Sequence, residues 1–341
     1  MLFYWFSRVT IPQADRNLNP ILGIMPVLKR IEKIRRGYGQ QWHFYLYNGG
    51  PAFIIAGCII NCQRKRDRMT ITDTDQCVAS IIMAAGRGSR MKGYEGNKTL
   101  LPLEPGSSVF NGRHPLIMHL MENLPDGSKS LIVNHRKEEV MAVTRGTGAV
   151  YCEQPVLNGT GGAILAAENF IASQTARRVI ITMGDVPFVK KSTYENLVDG
   201  LATRDLMILG FSPKDKKQYG VLEIEQGQVR KITEWKFWKD YPSDLQDRLT
   251  VCNSGIYAAR RSALVHYLPI LASRPQIVQK DVDGKMTDIE EFFFTDLIEY
   301  MVKDGKRVGF HVVDDEYETM GIDDVAALEK AQAIFAGLSR R

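Results

Sequence analysis

At 341 residues, with 44% hydrophobic and 24% charged side chains, the chain has the composition of a soluble globular protein with one large α/β domain or two ordinary ones, which excludes intrinsic disorder. Residues 1–68 hold eleven Lys/Arg and three Asp/Glu, which leaves 33 basic and 36 acidic residues after them, so the net charge of +5 comes from the first fifth of the chain. The rest of the chain therefore gives no reason to expect a nucleic-acid partner.

The first segment differs in character from the remainder. It contains a basic stretch, Leu28–Arg36, and an apolar run, Phe53–Ile60. The sequence Asn48–Pro51 interrupts the apolar region and leaves a stretch too short to span a bilayer. A basic start followed by a cleavage site, as in a signal peptide, is not evident. We therefore predict no stable membrane insertion.

The hydrophobic residues of this segment show no sustained helix or strand period, so no fold is assigned to it. We expect residues 1–76 to be an N-terminal extension of uncertain structure and residues 77–341 to form the main domain. A start codon placed too far upstream, with true translation from Met69, would account for the change, and residues 1–68 would then be dispensable. The alternative is a basic arm that docks on an anionic membrane surface.

The five cysteines are few, odd in number and mostly far apart. This pattern argues against a secreted disulfide framework and predicts a cytoplasmic protein. Cys58 and Cys62 have no second Cys/His pair at zinc spacing, so no structural zinc site is predicted there.

From Cys77 onward, strand-like runs alternate with helix-like segments. This alternation predicts an α/β fold with a Rossmann-like, mostly parallel sheet, helices on both faces and an inserted β-hairpin. The predicted strands are Cys77–Ala85, Ser130–Asn134, Ala149–Glu153, Arg178–Met183, Leu206–Phe211, Cys252–Ala258 and Val308–Val313, with the hairpin at Tyr219–Trp235. The predicted helices are Pro115–Leu124, Gly162–Ile171, Lys191–Leu201, Ser262–Leu271, Asp288–Lys303 and Asp324–Leu338.

A glycine-rich turn follows the first of these strands, at Ile82–Met91. Such a turn lets backbone N–H groups bind phosphate oxygens. It lacks the Gly-Lys-Ser/Thr ending of a Walker A loop, and Met91 stands where a dinucleotide fingerprint needs its third glycine. Arg87 and Arg90 within the turn favour phosphate binding over a plain structural turn.

The run Ala84–Met91, followed by Lys98, resembles the signature of the sugar nucleotidyltransferase superfamily. In that family the glycine loop wraps a nucleoside triphosphate, and an arginine and a lysine contact its phosphates. The resemblance implies catalytic roles for Arg90 and Lys98. Asn97 stands where the family usually has proline, and the lead-in to the lysine is looser. The resemblance assigns nucleotide binding to the loop residues Ala84, Ala85, Gly86 and Gly88.

Later segments resemble one branch, the uridylyltransferase part of the bifunctional N-acetylglucosamine-1-phosphate uridylyltransferases, from about residue 80 to residue 330. Uracil recognition is implied for Gln154, Gly159 and Thr160. Contact with the amino sugar phosphate is implied for Gly220, Glu234 and Asn253. Metal binding is implied for Asp185, in a Gly-Asp-Val-Pro turn, and for Asp323, where that branch uses asparagine. Taken singly, Glu234 fits a solvated hairpin residue slightly better and Asn253 fits a bend slightly better. Their occurrence in order behind the glycine loop reverses that preference.

The resemblance implies a nucleotidyltransferase domain over residues 77–341, with Mg²⁺ as cofactor and with a nucleoside triphosphate and a sugar 1-phosphate as partners. Oxygen ligands such as Asp185 and Asp323 suit Mg²⁺. The C-terminal hexapeptide-repeat acetyltransferase of the bifunctional proteins has no counterpart here, so no acetyltransferase function is expected.

Two alternatives remain open, and the oligomeric state is not predicted. The first is a cytidylyltransferase for a cofactor or alcohol phosphate, because Asn97–Pro102 has some similarity to the molybdenum-cofactor group. The second is an inactive, nucleotide-sugar-binding subunit.

Overall fold

The computed structural model describes residues 42–46, 54–58, 77–88, 90–282 and 285–338. The chain divides into two units, Met1–Met69 and Thr70–Arg341. In the first unit, strands β1 (Trp42–Leu46) and β2 (Ile54–Cys58) pair in antiparallel fashion. The sequence did not predict this pair, and the basic stretch at 28–36 and position 69 lie outside the described residues. None of the helices in the described ranges is both long enough and apolar enough to cross a membrane.

The second unit alternates strands and helices, as the sequence predicts. Its strands are β3 (Val78–Met83), β4 (Pro102–Ser108), β5 (Asn111–Pro115), β6 (Lys129–Val133), β7 (Val150–Glu153), β8 (Arg178–Met183), β9 (Leu206–Phe211), β10 (Val221–Glu225), β11 (Gln228–Thr233), β12 (Cys252–Arg260), β13 (Gln276–Val282), β14 (Lys285–Glu291) and β15 (Val308–Val312). Its α-helices are α1 (Leu116–Asn123), α2 (Lys137–Thr144), α3 (Gly159–Ala166), α4 (Glu168–Ser173), α5 (Lys191–Gly200), α6 (Trp235–Trp238), α7 (Ser243–Arg248), α8 (Arg261–Ala272), α9 (Phe294–Lys303) and α10 (Val325–Leu338). Short 3₁₀ turns lie at Lys98–Leu100, Arg145–Thr147 and Glu316–Thr319.

Nine of these strands form one sheet. Parallel pairing joins β7, β6, β3 and β8 in that order, and β15 lies parallel to β9. Strand β12 runs antiparallel between β8 and β9, so β9 and β15 point in the same direction as the first four strands. The predicted hairpin β10–β11 attaches to the start of β12. The mostly parallel α/β sheet is therefore confirmed.

Helices cover both faces of this sheet, because its central strands are apolar on both sides. Along β3, Ile81 faces one core and Ile82 the other. The first core receives side chains from helices α3, α4, α8 and α9, and the second receives them from α1 and α5. The carboxyl ends of β3 and β8 lie side by side between these layers, where ligands bind in open α/β sheets.

Two predicted helices differ from the structure. The segment 162–171 spans two short helices, because Ala167 departs from helical geometry between them. The helix predicted from Asp288 is wrong in its first part. There the chain forms β14, which pairs with β13, and the helix begins only at Phe294. The acidic run before residue 292 has the composition of a helix start, but its pairing with β13 decides its conformation.

A chain that begins at Met69 should fold without residues 1–68, because every strand of the nine-stranded sheet starts at Val78 or later. We expect its thermal midpoint to lie within a few degrees of that of the full chain. We also expect the sheet domain to give the same far-ultraviolet circular dichroism signal in both chains. Calorimetry on the two chains measures this. Aggregation of the shorter chain, or loss of its cooperative transition, would show that residues 1–68 belong to the folding unit.

Candidate active site

A cleft of about 440 Å³ opens at the carboxyl ends of β3 and β8. The residues that line it include most of those predicted from the sequence. They come from the glycine turn, from the segment after β7, from the turn after β8 and from the turn before α10. These are Ala84, Ala85, Gly86, Gly88, Arg90, Lys98, Gln154, Gly159, Thr160, Asp185 and Asp323. Segments that are distant in sequence thus converge on one site.

Lys98 lies between the two predicted metal ligands. Its ammonium contacts Asp185 Oδ2 and lies 2.8 Å from Asp323 Oδ1. Arg90 donates to the same Asp323 oxygen at 2.9 Å. Burial alone would lower the pKa of Lys98, but the two carboxylates outweigh it and raise the pKa above its usual value. Lys98 is therefore a permanent cation that holds the two carboxylates together.

The glycine turn allows the backbone to pass close to Lys98. Gly88 has a φ of +61°, in the left-handed region, and a Cβ at this position would lie 3.1 Å from the Cβ of Lys98. Glycine adopts this conformation without steric cost. Within the turn, Met91 N–H donates to the Gly88 carbonyl at 2.9 Å. The turn thus brings Arg90 and Lys98 to the same Asp323 oxygen.

Asn97, which replaces the proline usual in the family, fastens the lysine to the sheet. Its fully buried side chain donates from Nδ2 to the carbonyls of Ala84 at 2.9 Å and His135 at 2.8 Å. Its Oδ1 accepts from the backbone N–H of Thr99 at 3.0 Å and from the Thr99 hydroxyl at 2.8 Å. Both ends of the amide are therefore used, and the 3₁₀ turn that carries Lys98 is fixed.

The predicted base-binding segment is held in place by Phe292 and Phe294, which lie far along the chain, after β14. Gln154 is 4% exposed, and its Nε2 donates to Asn158 Oδ1 at 3.1 Å and to the Gly159 carbonyl at 3.2 Å. Gly159 has a φ of +93°, and a Cβ there would collide with the Phe292 carbonyl. The Thr160 hydroxyl accepts from the N–H of Phe294 at 3.2 Å. Glycine is thus required where the two segments touch.

The three residues implied for sugar binding lie together but do not line this cleft. Asn253 N–H donates to the Gly220 carbonyl at 2.8 Å, and a Cβ on Gly220 would lie 3.2 Å from Glu234 Oε2. Glu234 lines a second cleft of about 550 Å³, and burial raises the pKa of its carboxyl. Their chain neighbours Tyr219 and Ser254 line the first cleft instead.

Sequence reasoning missed several residues that line the first cleft. Glu291 is 5% exposed and lies at the end of β14, within the segment wrongly predicted as helix. Thr99 and Thr319 also line the cleft. No sequence motif marks these positions, although the position of Thr99 directly after Lys98 could have indicated that it lines the site.

Comparison with known proteins identifies the domain. Residues 80–236 match the model of the MobA-like NTP transferase domain. The chain contains a nucleotidyltransferase domain. The chain is 29% identical over 264 residues to the bifunctional protein GlmU of Novosphingobium aromaticivorans, and 30% identical over 272 residues to GlmU of Sphingopyxis alaskensis. These matches cover 76% and 77% of this chain but only 52% and 53% of the relatives, so the chain spans about half the length of the curated proteins it matches.

A solved structure supports the fold of the nucleotidyltransferase domain. It is described as a glucose-1-phosphate thymidylyltransferase from Bacillus anthracis in complex with sucrose. It has a TM-score of 0.53 and 18% identity over 76% of this chain and 95% of that chain. At this identity the likeness concerns the fold alone. The domain match and the similarity to GlmU confirm the predicted resemblance to nucleotidyltransferases and the predicted enzyme class.

Asn97→Ala should destabilise the nucleotidyltransferase domain and lower its activity. The substitution leaves the buried Ala84 carbonyl, the partly buried His135 carbonyl and the buried Thr99 N–H without their partner, which costs about 2 kcal/mol. Urea unfolding measures the stability change. Asn111→Ala, at an exposed hairpin position, is the matched control and should leave stability within about 0.5 kcal/mol of the parent. Equal stability of the Asn97 variant and the control would contradict the role assigned to Asn97.

Proposed function

We propose that this protein transfers a uridylyl group from UTP to a sugar 1-phosphate, with N-acetylglucosamine 1-phosphate as the preferred acceptor, and releases pyrophosphate. The observation that carries the proposal is the charged cluster of Arg90, Lys98, Asp185 and Asp323, in a cleft that is also lined by the glycine turn. Two cations and two carboxylates at one end of a parallel sheet suit phosphoryl chemistry better than simple binding.

The nucleotide would bind along the glycine turn. Gly86 and Gly88 line the cleft, where their backbone N–H groups would donate to phosphate oxygens, and the cations of Arg90 and Lys98 would neutralise the phosphate charge. Gln154 lines the same cleft as this turn, and its amide is oriented by Asn158 and the Gly159 carbonyl. A base whose edge pairs with these fixed hydrogen-bonding groups binds more tightly than a base that leaves them unpaired.

Asp185 and Asp323 would hold Mg²⁺. They fit the ion because they offer carboxylate oxygens, the ligands Mg²⁺ prefers, and because both already converge on one positive charge, that of Lys98. When bound, Mg²⁺ supplies charge neutralisation at the triphosphate and the incoming sugar phosphate. The ammonium of Lys98 must then release at least part of its contact with the two carboxylates and turn toward phosphate oxygens.

The chemical step requires no general base. The attacking group is a phosphate oxygen of the sugar 1-phosphate, which is already an anion; it forms a bond to the α-phosphorus of UTP while the bond to pyrophosphate breaks. The residues therefore contribute alignment and charge. Lys98 and Arg90 would stabilise the negative charge on the transferred and departing phosphates. Tyr219 and Ser254 lie where the acceptor would enter, next to Gly220 and Asn253, the residues we propose for sugar binding with Glu234.

A second candidate is favoured by the MobA-like family match over residues 80–236. In it, the same cleft transfers a different nucleotidyl group, such as cytidylyl, to a cofactor or alcohol phosphate. The charged cluster serves both candidates equally, so base and acceptor preference distinguish them.

A panel of nucleoside triphosphates and phosphate acceptors, assayed by pyrophosphate release, tests the proposed substrates. UTP with N-acetylglucosamine 1-phosphate should give the highest kcat/KM, because a pocket of fixed hydrogen bonds rejects bases that leave its groups unpaired. A preference for CTP would promote the second candidate. The highest kcat/KM with ATP or GTP would overturn the assignment of Gln154, Gly159 and Thr160 to uracil.

Asp185→Asn and Asp323→Ala should each lower kcat on the order of 100-fold or more, since the first removes a negative charge from the proposed metal site and the second removes a ligand there. Steady-state kinetics across a magnesium titration measures the effect, and the apparent magnesium requirement should rise. Asp199→Asn, on the exposed side of α5, is the matched control and should leave both values unchanged. Parent-like activity of Asp185→Asn at ordinary magnesium would refute the site.

A further inference from the structure

Three potential metal ligands converge at the junction of β5 and α1, outside the cleft described above. His114 lies at the end of β5, and His119 and Glu122 lie one turn apart on α1. His114 Nε2 is 3.3 Å from His119 Nδ1. Glu122 Oε2 is 3.7 Å from the first of these nitrogens and 3.8 Å from the second. Among the described residues, these three side chains form a group whose ligand atoms lie close enough together to bind one metal ion.

These separations are long for hydrogen bonds and short for unrelated groups. A good N–H···O or N–H···N bond has heavy atoms about 2.9–3.0 Å apart, so neither the histidine pair nor the carboxylate makes a strong direct contact. Ligands bound tetrahedrally to one zinc ion at about 2.0–2.1 Å lie about 3.4 Å from each other. The three atoms already have nearly this spacing, and movements of a few tenths of an ångström would complete it.

Packing fixes both imidazole rings in this arrangement. The ring of His114 stacks on Phe335, with centroids 4.7 Å apart, and the ring of His119 meets Phe335 edge-on at 5.2 Å. His119 also contacts the edge of Phe188 at 5.8 Å. The backbone of His114 has a φ of +62°, an uncommon conformation for any residue with a Cβ. Rings held by neighbours in this way are preorganised ligands.

We propose that His114, His119 and Glu122 bind one transition-metal ion of the zinc type. Imidazole nitrogen suits zinc and its neighbours in the first transition row, whereas Mg²⁺ prefers oxygen, so the site is chemically distinct from the Asp185–Asp323 pair. Two histidines and one glutamate leave a fourth coordination position open to water. The Glu122 side chain is 58% exposed, so an ion can reach the site from solvent.

The position of the site gives the ion a structural effect. His119 packs on Phe188, which follows the Asp185 turn by three residues, and Phe188 belongs to the same core cluster as Ile322, which precedes Asp323. An ion bound by His114 and His119 would tie the end of β5 to α1, next to the core cluster that contains Phe188 and Ile322. Binding of the ion should therefore raise the thermal midpoint of the domain.

Zinc binding to the full chain, measured by isothermal titration calorimetry in the presence of a reductant and saturating Mg²⁺, tests the proposal. Excess magnesium competes with zinc for the oxygen sites, and the variants below assign the zinc that still binds. We expect one zinc equivalent with a Kd in the micromolar range or tighter, and a higher thermal midpoint with zinc. His119→Ala should abolish this equivalent. Glu122→Gln should weaken it at least about tenfold, because loss of even an outer-shell partner costs about 10–100-fold.

Matched variants separate this site from other zinc-binding groups, including the cysteines. His266→Ala removes an exposed histidine on α8 and should leave the titration unchanged. His114→Asn introduces a residue type that tolerates the left-handed backbone conformation at this position. This variant should also fail to bind the zinc equivalent. Should His119→Ala fail to fold, the exposed Glu122→Gln decides the question. The absence of zinc binding by the parent, or unchanged binding by His119→Ala or Glu122→Gln, would overturn the proposal.

Discussion

The cleft depends on one electrostatic arrangement, the ammonium of Lys98 held between the carboxylates of Asp185 and Asp323. Two carboxylates brought this close in a partly buried place repel each other unless a cation lies between them. Lys98 supplies that cation in the absence of ligands, and its raised pKa keeps it charged. In the proposed reaction, a divalent ion would bind the two carboxylates in place of Lys98. The ammonium of Lys98 would then bind phosphate oxygens.

Several parts of the fold exist to bring these three charges together. The 3₁₀ turn at Lys98–Leu100 supplies Lys98, the turn after β8 supplies Asp185, and the turn before α10 supplies Asp323. Asn97 fixes the first of these turns to backbone carbonyls, and Ile322 N–H fixes the third by donating to the Asp185 carbonyl at 3.0 Å. The cluster therefore rests on the hydrogen bonds of one buried side chain, Asn97, and on one backbone hydrogen bond between turns.

The sequence predicts most of the sheet because its central strands are short apolar runs with clear ends, and local periodicity reports burial directly. It fails at 285–291, where pairing with the preceding strand β13 decides the conformation. For the site, the glycine turn and the two aspartates stand in recognisable local patterns. Glu291 enters through a non-local contact that no short motif encodes, and the cluster of His114, His119 and Glu122 lacks a familiar zinc spacing. Asn97 looked like a departure from the family pattern, and its hydrogen bonds show a supporting role.

Strand β12 has a consequence for how the chain folds. Because β12 lies between β8 and β9, β9 cannot join the rest of the sheet until residue 260 has been synthesised, although β9 itself ends at residue 211. Asp323, which completes the charged cluster, emerges later still. A nascent chain would therefore hold the first half of the cleft, with its cations and Asp185, well before Asp323 completes the charge balance. Such non-local order slows folding and lengthens the time during which apolar strand edges are exposed to chaperones on the ribosome.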